Sequence, residues 1–168
     1  MKYCAECGSL LEKRFLEHEG MIPFCPRCNA YRFPVFSSAI SVVILNRDKT
    51  KTLFIKQYGK DRNILVAGYI NKGENAEEAV QREMLEEIGV APNYIEFQRS
   101  YYWEKSNALL LNYYAIVDTM ELNPNYEVDS YAWFDIHEAL EQVAKGGLAE
   151  VFYNYYYNKN VRNIKNVL

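Results

Sequence analysis

The apolar positions along the chain fall into two periods. Phe36–Leu45 (FSSAISVVIL) is rich in β-branched residues and predicts a strand, followed by a turn over Asn46–Thr50. Leu53–Gln57 alternates as a partner strand, and Ile64–Val66 is a short apolar run leading into Gly68. Tyr94–Glu104 and Ala108–Val117 predict an antiparallel pair around Lys105–Asn107, and Tyr131–Phe134 a last short strand. Helical spacing covers Ile136–Lys145, which stops at Gly146-Gly147, and Leu148–Tyr157. The polar tail after Asn158 is expected to fray. Strands interrupted by one helix and closed by others predict an α/β (α+β) fold, an α/β/α sandwich with a mixed sheet.

The interrupting helix is the most informative stretch. Gly68–Val90 reads GYINKGENAEEAVQREMLEEIGV. A Gly-rich turn comes first; Asn75 then stands where a helix N-cap belongs, and Gly89 where a left-handed C-cap belongs. On a wheel of about 100° per residue, Glu83, Glu86 and Glu87 share one arc. Met84, Leu85 and Ile88 share the next, with Val80 at its boundary. The expectation is an apolar arc against the sheet and a carboxylate arc facing outward into a cleft. Carboxylates one turn apart repel one another, so a positive group should sit among them. Clustered hard oxygen donors suit Mg²⁺ or Mn²⁺. Arg82, in the same turn, is placed to orient a carboxylate such as Glu74.

Composition adds a second feature. The chain has 168 residues, 49% hydrophobic and 24% charged, with a net charge of −3. These values describe a globular protein with no general affinity for nucleic acid. Its polar, cysteine-bearing start and the absence of a long apolar run argue for a cytoplasmic protein with no membrane partner. All four cysteines fall in residues 1–34, as Cys4-x2-Cys7 and Cys25-x2-Cys28, the spacing of a zinc ribbon. Four thiolates complete a tetrahedron and leave no open position, so this Zn²⁺ would be structural. A disulfide pair or a redox C-x-x-C is the alternative. Basic and acidic side chains nearly balance in this stretch, which disfavours phosphate tracking. The expected domains are 1–34, the ribbon, and 35–168. His18 and His137 read as structural or exposed.

The spacing G-x5-E-x7-R-E-U-x-E-E-x-G-U, with U apolar, is filled by Gly68, Glu74, Arg82, Glu83, Met84, Glu86, Glu87, Gly89 and Val90. In this the chain resembles the Nudix hydrolase family. The resemblance implies hydrolysis of a nucleoside diphosphate linked to another moiety, with Mg²⁺ or Mn²⁺ held by the helix. It implies Glu83 as base or bridging ligand, Glu86 and Glu87 as ligands, Glu74 bracing Arg82, and the Ala67 carbonyl as a further ligand. Glu127, seven residues before Phe134, is similar to the metal-binding Glu of an E-x6-[FY] stretch in the zinc-containing NADH pyrophosphatase branch; Asp129 and Glu121 compete with it.

A ribbon joined to this box resembles that same branch, which also removes NAD caps from RNA. Of the branch's S-Q-P-W-P-F-P-x-S stretch, Ser100 and Trp103 stand in register, and Tyr101 replaces the Gln. Phe33, Trp103 and Ala149 sit where the branch contacts its dinucleotide, so Phe33, Tyr101, Trp103 and Ala149 are the substrate-binding candidates. The resemblance also implies a homodimer. Two other functions fit the same residues. One is a sensor that binds a nucleotide metabolite. The other is a hydrolase of capped RNA ends, using Lys51, Lys56, Lys60 and Arg62 as a basic path.

Overall fold

The computed structural model describes residues 2–162. The chain divides after Phe36 into two compact units. The first carries a small antiparallel sheet of β1 (Glu12–Leu16), β2 (Gly20–Cys25) and β3 (Ala30–Tyr31), in that order. Cys4, Phe24 and Cys25 are its buried side chains.

Among the described residues, the second unit holds six strands and three α-helices. They are β4 (Ser37–Asn46), β5 (Lys51–Gln57), β6 (Val66–Tyr69), α1 (Ala76–Ile88), β7 (Tyr94–Trp103), β8 (Ala108–Val117), β9 (Val128–Asp135), α2 (Ala139–Gln142) and α3 (Leu148–Tyr157). The sheet runs β7-β8-β4-β5-β9, with β6 also paired to β4. Only β4 and β8 are parallel, so the sheet is mixed.

β4 explains the sandwich. Its side chains alternate with period two. Ile40, Val42 and Ile44 face a cluster built on Ala79, Val80, Met84 and Ile88 of α1. Ala39, Val43 and Leu45 face the opposite cluster, built on Phe152, Tyr153 and Tyr156 of α3. A strand covered on both faces must be apolar on both, which is why β4 reads as a nearly unbroken run. The tyrosines of α3 belong to this core: Tyr153 is fully buried, and its hydroxyl donates to the Ile136 carbonyl at 2.6 Å.

β4 also opens the cleft. Its C-terminal half pairs with β5 through Ile44 and Leu45, while its N-terminal half pairs with β6 from Ala39 to Val42. β6 then carries the chain through Gly68 into α1.

Four expectations are revised. The short strand expected at Ile64–Val66 starts at Val66 and runs to Tyr69; Ile64 makes an isolated bridge to Ile55. The strand at Tyr131–Phe134 extends to Val128–Asp135 because β5 supplies partners along that whole length. The helix expected over Ile136–Lys145 is reduced to one turn. Tertiary hydrogen bonds hold its ends: Ile136 N–H donates to Thr50 O at 2.9 Å, and Ala144 N–H to Asn63 O at 2.9 Å. Asn158–Arg162 continues α3 as a wide π-type turn, with Asn160 donating to Gln98 Oε1 at 3.0 Å. The rest of the polar tail lies outside the described residues.

Candidate active site

Helix α1 is capped at both ends by local chemistry. The Asn75 side chain accepts from Glu78 N–H at 2.9 Å, and Glu78 Oε2 accepts from Asn75 N–H at 3.0 Å. The two bonds make a reciprocal capping box. Gly89 closes the helix at φ 71°, in the left-handed region. The buried side chains are Ala79, Val80, Met84, Glu87 and Ile88.

This corrects the expected apolar arc. Leu85 is 51% exposed. It lies about 140° around the wheel from Val80. Glu87 is only 4% exposed. Its position is about 20° from Val80, near the middle of the buried face. The three acids therefore do not share one outward arc. They run from Glu87 inside, through Glu83 with 13% of its side chain exposed, to Glu86 with 56% exposed.

Arg82 is the positive group among them. It holds Glu74 with two bonds, Nε to Oε1 at 2.7 Å and Nη2 to Oε2 at 3.0 Å. Nη1 reaches Glu83 Oε1 at 2.7 Å and Glu86 Oε2 at 3.0 Å, and Nη2 also donates to Tyr69 O at 3.0 Å. The guanidinium thus ties the loop to two of the helix carboxylates. It holds the Glu74 carboxyl below the usual carboxylate range, helped by the Asn71 N–H. Gly68 is required by this arrangement: a Cβ there would lie 1.8 Å from Glu83 Oε1.

Glu87 has no such partner. Its Oε2 is buried without a hydrogen bond. Burial pushes the carboxyl up to about 7; the Gln57 amide opposes the rise, and the Glu83, Glu127 and Glu86 carboxylates add to it. An orphaned buried carboxylate oxygen among three more carboxylates is the electrostatic situation that a divalent cation relieves, so the residues present fit a hard metal ion. Glu83, Glu86, Glu87 and Glu127 line one cavity of about 540 Å³, together with Ala67 and Gly68. Glu127, just before β9, is set by its N–H bond to Asn125 Oδ1 at 2.9 Å, and it accepts from the Tyr58 hydroxyl at 3.2 Å. Of its competitors, Asp129 is engaged by the Gly59 N–H at 2.6 Å, and Glu121 sits in a turn against Thr119; neither lines the cavity.

The model of the NUDIX domain matches residues 35–155. The chain belongs to the NUDIX family.

The NUDIX chain is also similar to curated relatives. It is 30% identical over 151 residues to the NAD-capped RNA hydrolase NudC of Vibrio cholerae, covering 88% of this chain and 54% of that one. It is 26% identical over 136 residues to the NudC of Pseudomonas aeruginosa, covering 80% and 48%. The chain thus spans about half the length of these relatives. Among solved structures, a NUDIX hydrolase from Nitrosomonas europaea aligns with a TM-score of 0.63 at 19% identity, covering 96% of this chain and 93% of that one. The NUDIX domain of NrtR from Shewanella oneidensis, complexed with ADP ribose, aligns at 0.58 and 16% identity, covering 86% and 93%. At those identities the structural likeness concerns the fold.

A second cavity, of about 420 Å³, adjoins the carboxylate cavity of this NUDIX fold; Gln57, Tyr58, Ala67, Leu110 and Leu148 line both. Trp103 and Ala149 meet here. Tyr101 does not join them: its ring packs in the α3-side core, 6.2 Å from Phe152 and 6.2 Å from Trp103, and it lines neither cavity. Phe33 is 52% exposed and belongs to the N-terminal unit. Gln57 and Tyr58 were not expected. A register shift between Lys56 and Gln57 in the β5–β9 ladder turns the chain there. Tyr58 (φ 56°) and Gly59 (φ 67°) follow in left-handed conformations. The one local trace of this is the Tyr-Gly pair itself. His137 is structural, its Nδ1 lying 2.7 Å from the Tyr157 hydroxyl, and His18 is exposed.

In the N-terminal unit, the sulfurs of Cys4, Cys7, Cys25 and Cys28 lie within 4.8 Å of one another and could hold a metal ion. Cys7 and Cys25 lie 3.5 Å apart and Cys4 and Cys28 4.0 Å, and none of the four is joined in a disulfide. Gly8 (φ 71°) and Asn29 (φ 53°) each follow a knuckle in the left-handed turn that brings its cysteines round. Arg32 donates from Nε to Cys4 Sγ at 3.2 Å and lowers that thiol to about 6.

Proposed function

We propose that this chain is a metal-dependent pyrophosphohydrolase. It splits the anhydride of a nucleoside diphosphate linked to a second moiety, and NAD-like dinucleotides, free or at the 5′ end of RNA, are the substrates it is directed to. The observation that carries the reading is Glu87: a buried carboxylate with an unpartnered oxygen, grouped with Glu83, Glu86 and Glu127 at the wall of a cavity. The NudC relatives, named as NAD-capped RNA hydrolases, support the substrate class.

In this reading Glu83, Glu86, Glu87, Glu127 and the Ala67 carbonyl hold Mg²⁺ or Mn²⁺. The bound ion supplies neutralisation of phosphate charge and acidification of water. Glu83 is the residue favoured to take the proton from the attacking water, since it faces the cavity beside Gly68. Arg82 keeps Glu74, Glu83 and the Tyr69 carbonyl in one geometry, so the loop and the helix move as a unit. Trp103 and Leu148 give the adjoining cavity apolar surface for a base or nicotinamide ring, and the small Ala149 leaves room for it. The four cysteines hold Zn²⁺ as a structural ion. An ideal tetrahedron of thiolates about 2.3 Å from the metal has edges of about 3.8 Å, close to the spacing of the sulfurs here.

The retained carboxylates favour an enzyme over a sensor, which has no need of an unpaired acid at the cavity wall. Incubation of the protein and a Glu86→Gln variant with NADH, ADP-ribose and NAD-capped RNA in Mg²⁺, followed by product analysis, tests the reading. The expectation is mononucleotide release by the unmutated protein and a loss of at least tenfold in the variant. No hydrolysis of any of the three would leave the sensor.

A further inference from the structure

The two adjoining cavities differ sharply in charge. The carboxylate cavity carries four acids and one arginine. The cavity that holds Trp103 is lined by two cations, Lys60 and Arg62, and by no acid. We infer that this second cavity is a subsite for an additional phosphate ester on the substrate, remote from the anhydride that is cleaved, and that Lys60 and Arg62 recognise it. This rests on the proposed hydrolase reading and names its substrate class more narrowly: nucleoside diphosphate conjugates that carry a further phosphate on a ribose hydroxyl.

The loop between β5 and β6 is built to present these two side chains. Lys60 and Arg62 alternate with Asp61, the single acid among them. Asp61 is turned away: its side chain is 91% exposed, it pairs with Lys56, and it does not line the cavity. The cavity cations are therefore not neutralised by their own loop. Among the described residues Lys60 has no carboxylate partner, and the Arg62 guanidinium makes a single 3.4 Å bond, to the Lys145 carbonyl.

The loop backbone is anchored on both sides. Gly59 N–H donates to Asp129 Oδ2 at 2.6 Å, Asn63 Nδ2 to Gln142 O at 2.9 Å, and Ala144 N–H to Asn63 O at 2.9 Å. A pinned loop loses little entropy when its side chains close on a ligand. Gln57 lines both cavities, and its amide serves the carboxylate side, where it opposes the rise at Glu87. Two cations without an acid partner beside an aromatic ring recognise an anion attached to a base-bearing moiety; a riboside with no phosphate of its own would leave both unused. The two long side chains are exposed, so the gain is moderate and salt-dependent, about tenfold for the pair.

The test uses paired substrates that differ by one phosphate: NADH with NADPH, and ADP-ribose with 2′-phospho-ADP-ribose. A capped dinucleotide, in which the added phosphate is a diester, distinguishes a terminal phosphate from the start of an RNA chain. The readout is the ratio of kcat/KM within each pair, for the unmutated protein and for a Lys60→Gln/Arg62→Gln double variant. Binding of adenosine 2′,5′-bisphosphate against 5′-AMP, measured without metal, gives the same ratio independently of turnover. The expected result is a preference of tenfold or more for the phosphorylated member, expressed in KM, falling to about one in the double variant and falling with salt. A preference for the diester alone would assign the subsite to an RNA end and overturn the terminal-phosphate assignment. A ratio near one in the unmutated protein, or one that survives the double substitution, overturns the inference. Absence of all turnover with the binding preference intact would count against the hydrolase reading and in favour of the subsite.

Discussion

Replacing Gly68 with alanine would set a methyl group inside the space of the Glu83 carboxylate. The added carbon would lie 1.8 Å from Oε1, 2.0 Å from Cδ and 2.6 Å from Oε2. Nonbonded carbon and oxygen atoms settle near about 3.5 Å, so the carboxylate has to retreat by roughly 1.5 Å. It can, because the three atoms nearest the added carbon all belong to the end of that flexible side chain. The expected cost in stability is small. The shifted carboxylate gives up its 2.7 Å bond to Arg82. Such a partly exposed pair is worth about 1 kcal/mol, and the Gly→Ala change returns about 0.4–1 kcal/mol by restricting the unfolded chain. Function should suffer far more. Misplacing a reacting or ligating group by about 1 Å costs roughly hundredfold in rate, or about 2.7 kcal/mol of transition-state stabilisation. Thermal denaturation, Mn²⁺ titration and kcat/KM on the best substrate would be measured together. The expected pattern is a melting temperature within a few degrees of the unmutated protein, weakened metal binding and a kcat/KM lower by about hundredfold. Turnover within threefold at unchanged metal affinity would refute the role given to Glu83. An unfolded variant would refute the claim that the side chain absorbs the clash.

Other consequences can be checked separately. Glu127→Gln should lower kcat/KM by about hundredfold with little change in melting temperature. Asp129→Asn, which touches only the Gly59 N–H, should cost less than tenfold; equal losses would mean that the wrong carboxylate has been placed in the site. Asn75→Ala removes one half of the capping box. It should destabilise the protein by about 1 kcal/mol in denaturant unfolding, and an unchanged midpoint would contradict it. Cys25→Ser should abolish the one equivalent of zinc expected by elemental analysis and expose residues 2–36 to proteolysis. Metal binding, on the order of 10 kcal/mol, is most of what so small a core has to hold it. Retained zinc would argue against the four-cysteine site.

Much of the fold was legible because it rests on local rules. Asn75 and Gly89 bound α1 where capping chemistry places them, Leu148–Tyr157 is helical as its spacing predicts, and the apolar run of β4 becomes the central strand. What was not legible depends on tertiary partners. A wheel for α1 places Leu85 beside Met84, but the sheet sits against the Val80 side, so Leu85 is exposed and Glu87 buried. The helical spacing of Ile136–Lys145 is overridden by the bonds that Thr50 and Asn63 make to its ends. The need for positive charge among the acids was readable from their spacing; that Arg82 itself meets it, by turning toward Glu83 and Glu86, depends on how the loop before α1 folds back on the helix. The second cavity is assembled from five strands (β4, β5, β6, β7 and β8), the loop after β5 and the start of α3 with the residues before it, and no window of sequence contains it.

The central claim is that a short acidic helix captures a divalent cation through Glu87 and its neighbours. Titration of Mn²⁺ into the protein with a nonhydrolysable nucleotide present, followed by electron paramagnetic resonance or calorimetry, tests it most directly, with Glu87→Gln as the paired variant. The account predicts saturable uptake by the unmutated protein and a loss of at least tenfold in affinity on replacing Glu87. No uptake, or uptake indifferent to Glu87, would contradict it.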